Sequence, residues 1–351
     1  MQRLPSFDHL QKQIDVSLAL DMGSQTTRLS VIGTKKEQSL PTVLALAEDK
    51  KTILGIGEEA QELMGKVGNQ MRIAQPIQDG VLRDIGSTIV FLRYLFQRHL
   101  KYAWVFKPNV LASVAADATT VEREALRDVL YESGAKKVYL VDQPLAAAIG
   151  AGIPVAQSSG NVVIHLGAGV TEMAVISLGT GITHHGMRWG GHRLDESILK
   201  FIRTRHQVDV SLITAEYLKK NMQSVFEVDA RHALSVKGRH IVTGVPTEAH
   251  LKSSDVLQAI QPAIDELVIQ IKEFLEDVPP EIATDVMDKG IILTGGASQL
   301  PGLIPLLTES LGVPLTLADR PTHAVMEGLK IVGQHLDLYE RSLAFTRGNE
   351  S

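Results

Sequence analysis

Apolar and polar positions fall into blocks that spell strand, glycine turn and strand twice along the chain. Residues 16–20 form a short apolar run that ends in the turn DMGSQTT (21–27), and residues 28–32 read as the returning strand. About 144 residues further on the layout recurs: a strand at 161–164, the turn HLGAGVT (165–171) and a strand at 172–178. A supersecondary unit repeated in this way marks an internal duplication.

Between the two hairpins, helical periodicity covers 88–99 and 120–133, followed by an apolar strand at 137–141 and a helix of small residues at 144–150. Beyond them, 195–205 and 214–223 read as helices, 232–241 as strands, and 254–275 as a long amphipathic helix. Ser253, Ser254 and Asp255 supply its N-terminal cap chemistry, and Val278-Pro279-Pro280 ends it. A buried strand at 289–293 runs into the turn TGGAS (294–298), and the tail 341–351 is polar. Strands alternating with helices predict an α/β fold with helices packed on the sheets.

Composition narrows the function classes. The chain has 351 residues, 44% of them hydrophobic and 21% charged, and the size predicts two domains. Its 35 basic and 40 acidic side chains are interspersed and sum to −5, so no basic field gathers nucleic acid, which is excluded as a direct partner. Cysteine is absent, which rules out disulfides and thiolate metal sites and suits a reducing cytoplasm. No apolar run reaches the roughly 18 to 20 residues that span a bilayer, so membrane contact is expected to be peripheral. The twelve histidines, His184, His185 and His192 among them, lack metal-ligand spacing.

Three turns, DMGSQTT, HLGAGVT and TGGAS, each follow an apolar strand directly. Glycine lets backbone N–H groups approach phosphate oxygens, and hydroxyls add donors, so such turns suit a nucleotide. Together with QPIQDGVLRDI, VDQPLAAAIGAGIPV, the WGGHRLDESI run, TAEYLKK and ILTGGASQLPGLIPLL, these stretches resemble the MreB family of bacterial actin-like rod-shape proteins from about residue 15 to 338.

That resemblance implies an actin-like, ribonuclease H-like duplicated fold of two lobes with a nucleotide cleft between them. The first lobe is expected at 1–145 and 316–351 with a small subdomain near 33–72, and the second at 146–315 with one near 181–250. By resemblance, Ser24, Gln25 and Thr26 form the first phosphate turn, and Asp21 binds Mg2+ through water. Gly167, Ala168 and Gly169 form the second turn, Glu216 and Lys219 contact the nucleoside, and Gly295, Gly296 and Ala297 lie beside base and ribose. The implied cofactors are ATP or GTP with Mg2+.

Three positions depart from the family pattern. His165 stands where an Asp usually opens the second turn, Gln143 where a Glu is usual, and Val170 where a Thr is usual. An amide orients water without deprotonating it at neutral pH, so Gln143 with Asp21 is expected to support slow hydrolysis at most.

The stretch 102–108, with Trp104, Val105 and Phe106 between basic residues, stands where the family has a membrane-inserting loop. Leu4, Phe7, Leu10 and Ile14 recur at helical spacing as a second candidate anchor. The expected protein polymerises with itself and with other MreB-like copies. It sits in the cytoplasm, peripheral at the inner face of the cell membrane, and works with membrane proteins of cell-wall synthesis. The competing readings are a non-polymerising membrane adaptor resembling FtsA or PilM, and an actin-fold small-molecule kinase, which needs a carboxylate base facing its acceptor hydroxyl.

Overall fold

The structure, a computed structural model, describes residues 17–48, 52–64, 71–100, 107–227, 233–336 and 339. The 104–106 loop, the apolar N-terminal positions 4–14 and the tail 341–351 lie outside these residues. The chain divides into two compact units, Met1–Ala156 with His323–Ser351, and Gln157–Thr322.

In the first unit, β1 (Ser17–Met22), β2 (Thr26–Val31) and β3 (Glu37–Pro41) form an antiparallel meander. A small sheet follows, made of β4 (Leu44–Ala47), β5 (Ile53–Ile56) and β6 (Met71–Ala74), with α1 (Glu58–Leu63) between its last two strands. After the short hairpin β7 (Ile77–Gln78) and β8 (Val81–Leu82) come α2 (Ile85–His99), β9 (Asn109–Val114), α3 (Thr120–Glu132), β10 (Lys137–Asp142) and α4 (Gln143–Gly150). The main sheet has the order β10-β9-β1-β2-β3, with β1, β9 and β10 parallel. Leu18, Ala19 and Leu20 are all fully buried, as expected of a strand covered on both faces. Phe91, Leu92, Leu95 and Phe96 of α2 and Leu126, Val129 and Leu130 of α3 share one core with Leu18, Leu20 and Leu29.

The second unit repeats the plan. Its elements are β11 (Asn161–Leu166), β12 (Thr171–Ser177), β13 (Thr180–Met187), α5 (Gly191–His206), β14 (Val208–Asp209), α6 (Leu212–Asn221), β15 (Ala233–His240), β16 (Pro246–Lys252), α7 (Ser253–Glu276), α8 (Pro280–Lys289), β17 (Ile291–Thr294), α9 (Leu303–Leu311) and β18 (Leu315–Leu317). The main sheet is β13-β12-β11-β17-β18, an antiparallel meander joined to a parallel pair, which is the order of the first sheet read from its other edge. β14, β15 and β16 form its small sheet. The chain then returns to the first unit as α10 (Ala324–Gln334).

The units meet in sequence at 156/157 and 322/323, against an expectation of 145/146 and 315/316. β18 pairs with β17 and so belongs to the second sheet. α4 belongs to the first unit because it crosses α10 at two glycines. A Cβ on Gly150 would stand 1.8 Å from Ala324 O, and one on Gly328 would stand 1.8 Å from Ala146 O. The small-residue pattern at 144–150 thus serves close helix packing. The small sheets occupy 44–74 and 208–252, while the strands at 37–41 and 180–187 complete the main sheets.

Several element ends differ from the pattern. α2 begins three residues early because the Asp84 carboxylate accepts from Ser87 N at 3.0 Å and caps it. Pro280 does more than close the long helix: it is the first residue of α8, where its missing N–H costs nothing and its fixed φ suits a helix start. That helix runs through Lys289, so the strand expected from 289 begins at Ile291.

Candidate functional site

The turn between β1 and β2 and the turn between β11 and β12 have the same geometry. Gly23 N donates to Thr26 O at 3.1 Å, and Gly167 N donates to Val170 O at 2.9 Å. A Cβ on either glycine would press on that acceptor, at 2.9 Å and 2.8 Å. The amides of Ser24 and Gln25, and of Ala168 and Gly169, lie in the tips and outside the strand ladders, in the manner of anion-binding turns. The residue after the closing carbonyl in each turn, Thr27 and Thr171, is fully buried.

The two turns are braced differently. In the first, Thr42 N donates to Gln25 O at 2.9 Å, the Thr42 hydroxyl donates to Gly23 O at 2.8 Å, and Gly80 N donates to the Ser24 hydroxyl at 3.2 Å. In the second, the N-terminus of α5 docks on the turn: Gly191 N donates to Gly167 O at 3.1 Å and His192 N to Ala168 O at 2.8 Å. Among the described residues no side chain caps α5. The turn carbonyls instead satisfy amides that a helix start otherwise leaves unpaired, which is why this helix begins at Gly191 and not at the expected 195. Gly190 permits the approach, since a Cβ there would stand 2.4 Å from Ala168 O.

Charged groups line each hairpin. Asp21 faces Arg28 across the β1–β2 ladder, with Arg28 Nη1 3.6 Å from Asp21 Oδ2. Ser113, on the neighbouring β9, donates its hydroxyl to Asp21 Oδ1 at 3.0 Å. Burial pushes the Asp21 carboxyl above its usual range, opposed by Arg28 and the Ser113 hydrogen bond. Gln143 opens α4 directly after β10, one strand beyond β9, so Asp21, Ser113 and Gln143 gather at the ends of three adjacent parallel strands. Asp142 is engaged by Arg123 at 2.8 Å.

In the second unit His165 faces Glu172 across its ladder, both buried, and His165 Nδ1 is 3.0 Å from the Thr294 hydroxyl on β17. Because β11 and β17 are parallel neighbours, the turn at 167–169 and the turn holding Gly295, Gly296 and Ala297 emerge side by side. Gly295 has φ +88, and a Cβ there would meet Leu166 O at 2.2 Å, so only glycine fits. Its amide donates to Pro321 O at 2.7 Å, and the Ser298 hydroxyl donates to its carbonyl at 2.6 Å.

Lys219 reaches this end of the sheet from α6. Its ammonium donates to Gly191 O at 2.9 Å and to the buried Asp195 carboxylate at 2.8 Å. Burial pushes the Asp195 carboxyl up to about 6, against the pull of Lys219. Glu216 pairs with Lys220 at 2.7 Å. The two residues expected to act as a pair on the nucleoside therefore have separate partners.

Sequence reasoning passed over Arg28, Ser113, Glu172, Thr294, Gly190 and Asp195. The duplication carried a signal for two of them: Arg28 and Glu172 each stand seven residues after the residue that opens the turn, Asp21 and His165.

A family model described as MreB/Mbl protein matches residues 15–341. The chain belongs to the MreB/Mbl family. It is 33% identical over 327 residues to the cell shape-determining protein MreB of Escherichia coli (strain K12), covering 91% of this chain and 94% of that one. The cell shape-determining protein Mbl of Bacillus subtilis (strain 168) is 33% identical over 321 residues, covering 91% and 96%. The crystal structure of MreB 5 of Spiroplasma citri bound to AMPPNP aligns with a TM-score of 0.88 at 28% identity, covering 93% and 98%. This MreB/Mbl chain has the actin-like fold and an actin-like cytoskeletal role; the adaptor and kinase readings are not favoured.

Proposed function

We propose that this MreB/Mbl chain binds ATP at its duplicated turns, polymerises into filaments at the inner face of the cell membrane, organises cell shape and cell-wall synthesis there, and turns its nucleotide over slowly. The observation that carries the proposal is the pair of matching turns, each closed by a glycine amide and each presenting tip amides outside its ladder. Ser24, Gln25 and Thr26 receive phosphate oxygens at the first turn, and Gly167, Ala168 and Gly169 at the second. Gly295, Gly296, Ala297 and Glu216 border the nucleoside, and Lys219 joins them while anchored by Asp195. ATP is the nucleotide proposed because the similar Spiroplasma citri protein was crystallised with AMPPNP. Tighter binding of GTP in a parallel titration would reverse that assignment.

Slow turnover follows from the residues around the attacking water. Gln143 orients water through its amide and takes no proton from it. Val170 offers no hydroxyl, and His165 brings an imidazole held by Thr294 in place of a carboxylate. Pure protein is expected to release phosphate from ATP at least about tenfold more slowly than a relative with the usual acids, since a positioned base contributes tenfold effects or larger. Equal rates would refute slow turnover and leave binding intact.

Mg2+, which the resemblance implies, needs oxygen ligands and acceptors for the waters it retains. The expected acceptor, Asp21, already takes the Ser113 hydroxyl and faces Arg28, and the matching position in the second unit is His165. This donor set does not fit a tightly held Mg2+, and no step is assigned to one.

Electron microscopy with and without ATP tests polymerisation: filaments are the expected outcome, and a monodisperse monomer under both conditions returns the adaptor reading. Membrane attachment is assigned to Trp104, Val105 and Phe106, many weak contacts being multiplied along a polymer. Trp104→Ser with Phe106→Ser is expected to abolish co-sedimentation with liposomes, and unchanged pelleting removes the loop from the proposal.

A further inference from the structure

The misfit between this site and a divalent cation has a counterpart in the chain itself. Arg28 stands directly opposite Asp21 in the first hairpin, five residues after the glycine whose amide closes the phosphate turn. Both side chains are largely buried, at 15% and 7% exposure, and the guanidinium lies 3.6 Å from the carboxylate. At that distance the two attract as charges while the guanidinium keeps donors to spend. Its Nε is buried and makes no hydrogen bond among the described residues. Arg28 is therefore a cation fixed beside the turn by the sheet register, oriented by Asp21, with hydrogen-bonding capacity left over.

A polyphosphate needs its charge met wherever it binds. A metal-dependent site meets it with Mg2+, held through water by carboxylates. Here the Asp21 carboxylate serves Arg28 and Ser113. A second cation brought beside it meets the guanidinium at close range, where like charges in a partly buried site repel strongly. A guanidinium, in contrast, binds phosphate oxygens directly through charge-assisted hydrogen bonds and never loses its proton at physiological pH.

We propose that Arg28 is the built-in counter-charge of the first phosphate turn, so that this chain binds nucleotide without a divalent cation. The proposal rests on the nucleotide reading above and deepens it. Asp21 acts through Arg28 as a positioning residue, and Ser113 holds Asp21 in turn.

The test is calorimetric titration with AMPPNP, a slowly hydrolysed ATP analogue, in excess Mg2+ and separately in EDTA, with thermal melting of each protein alone to establish folding. For the natural sequence, the Kd values in the two buffers are expected to agree within about threefold, as befits a site whose counter-charge is its own. Arg28→Leu is expected to weaken binding in EDTA by about ten- to a hundredfold, the worth of a charge-assisted hydrogen bond, and to regain part of it in Mg2+. Arg28→Lys keeps the charge and is expected to stay close to the natural protein in EDTA. Binding by the natural sequence only when Mg2+ is present overturns the inference, as does an Arg28→Leu protein that binds normally in EDTA. Should Arg28→Leu fail to fold, the two-buffer comparison on the natural protein and on Arg28→Lys decides alone. Absence of binding in both buffers overturns the nucleotide reading, and this inference with it.

Discussion

The two hairpins, one in each unit, share a backbone and differ in chemistry. Asp21 opposes Arg28 in the first, and His165 opposes Glu172 in the second, in the same ladder position. Acid precedes base in one and follows it in the other. Each opening residue is hydrogen-bonded by a hydroxyl from the next parallel strand, Ser113 for Asp21 and Thr294 for His165. The supports differ as well: Thr42 and Gly80 hold the first turn, and the start of α5 holds the second. A glycine whose amide closes the turn is all that the shared geometry requires, which leaves the flanking charges free to diverge.

Removing one support separates the two turns most strongly. Gly190→Ala forces a methyl to within 2.4 Å of Ala168 O and lifts α5 from the second turn. A loss of about 3 kcal/mol in urea denaturation is expected, the upper range for overpacking a tight contact. The first turn is braced by Thr42 and Gly80 in place of a helix start and is expected to stay intact.

Removing a charge tests the first hairpin next. Asp21→Asn leaves Arg28 without its counter-ion at a largely buried position, and a loss of about 2 kcal/mol is expected in the same assay. An unchanged midpoint would mean that the pair is solvent-screened.

His165→Asp makes the second hairpin open on an acid, as the first does. Phosphate release from ATP in single turnover is expected to rise about tenfold, if the missing acid is what slows the step. No change would move the cause to Gln143 or Val170.

The smallest effect concerns Asp195, found only beside the second turn. Its carboxyl titrates near about 6 in the fold, above the about 3.9 of an unfolded chain. The folded form therefore takes up the proton first. This group's contribution to stability is complete below the unfolded value and is lost as pH rises through about 6. Between pH 7 and 5 the gain is about 1 kcal/mol, and Asp195→Asn is expected to remove that slope from denaturation midpoints measured across the range. The same protonation releases Lys219 from its ion pair, so nucleotide affinity is expected to fall as stability rises.

Much of this was legible in the chain. The duplication, both hairpins, the three glycine turns and the small-residue helix at 144–150 all follow from local spacing, because strand pairing and turn closure act over a few residues. The start of α5 was not legible, since its first amides are satisfied by carbonyls more than twenty residues away. Pro279 and Pro280 read as a stop signal alone, because a proline that ends one helix and one that begins the next look the same in sequence. That Lys219 pairs with Asp195 was not legible either, because it depends on a carboxylate buried on another helix.

Sequence alone determined that two copies of one strand-turn-strand unit exist, and that glycines and hydroxyls occupy their tips, because those are properties of neighbours along the chain. The tertiary structure decided which charge each tip carries to its surroundings. Asp21 engages Arg28 and Ser113, and His165 engages Thr294, since burial penalises a polar group left without a partner.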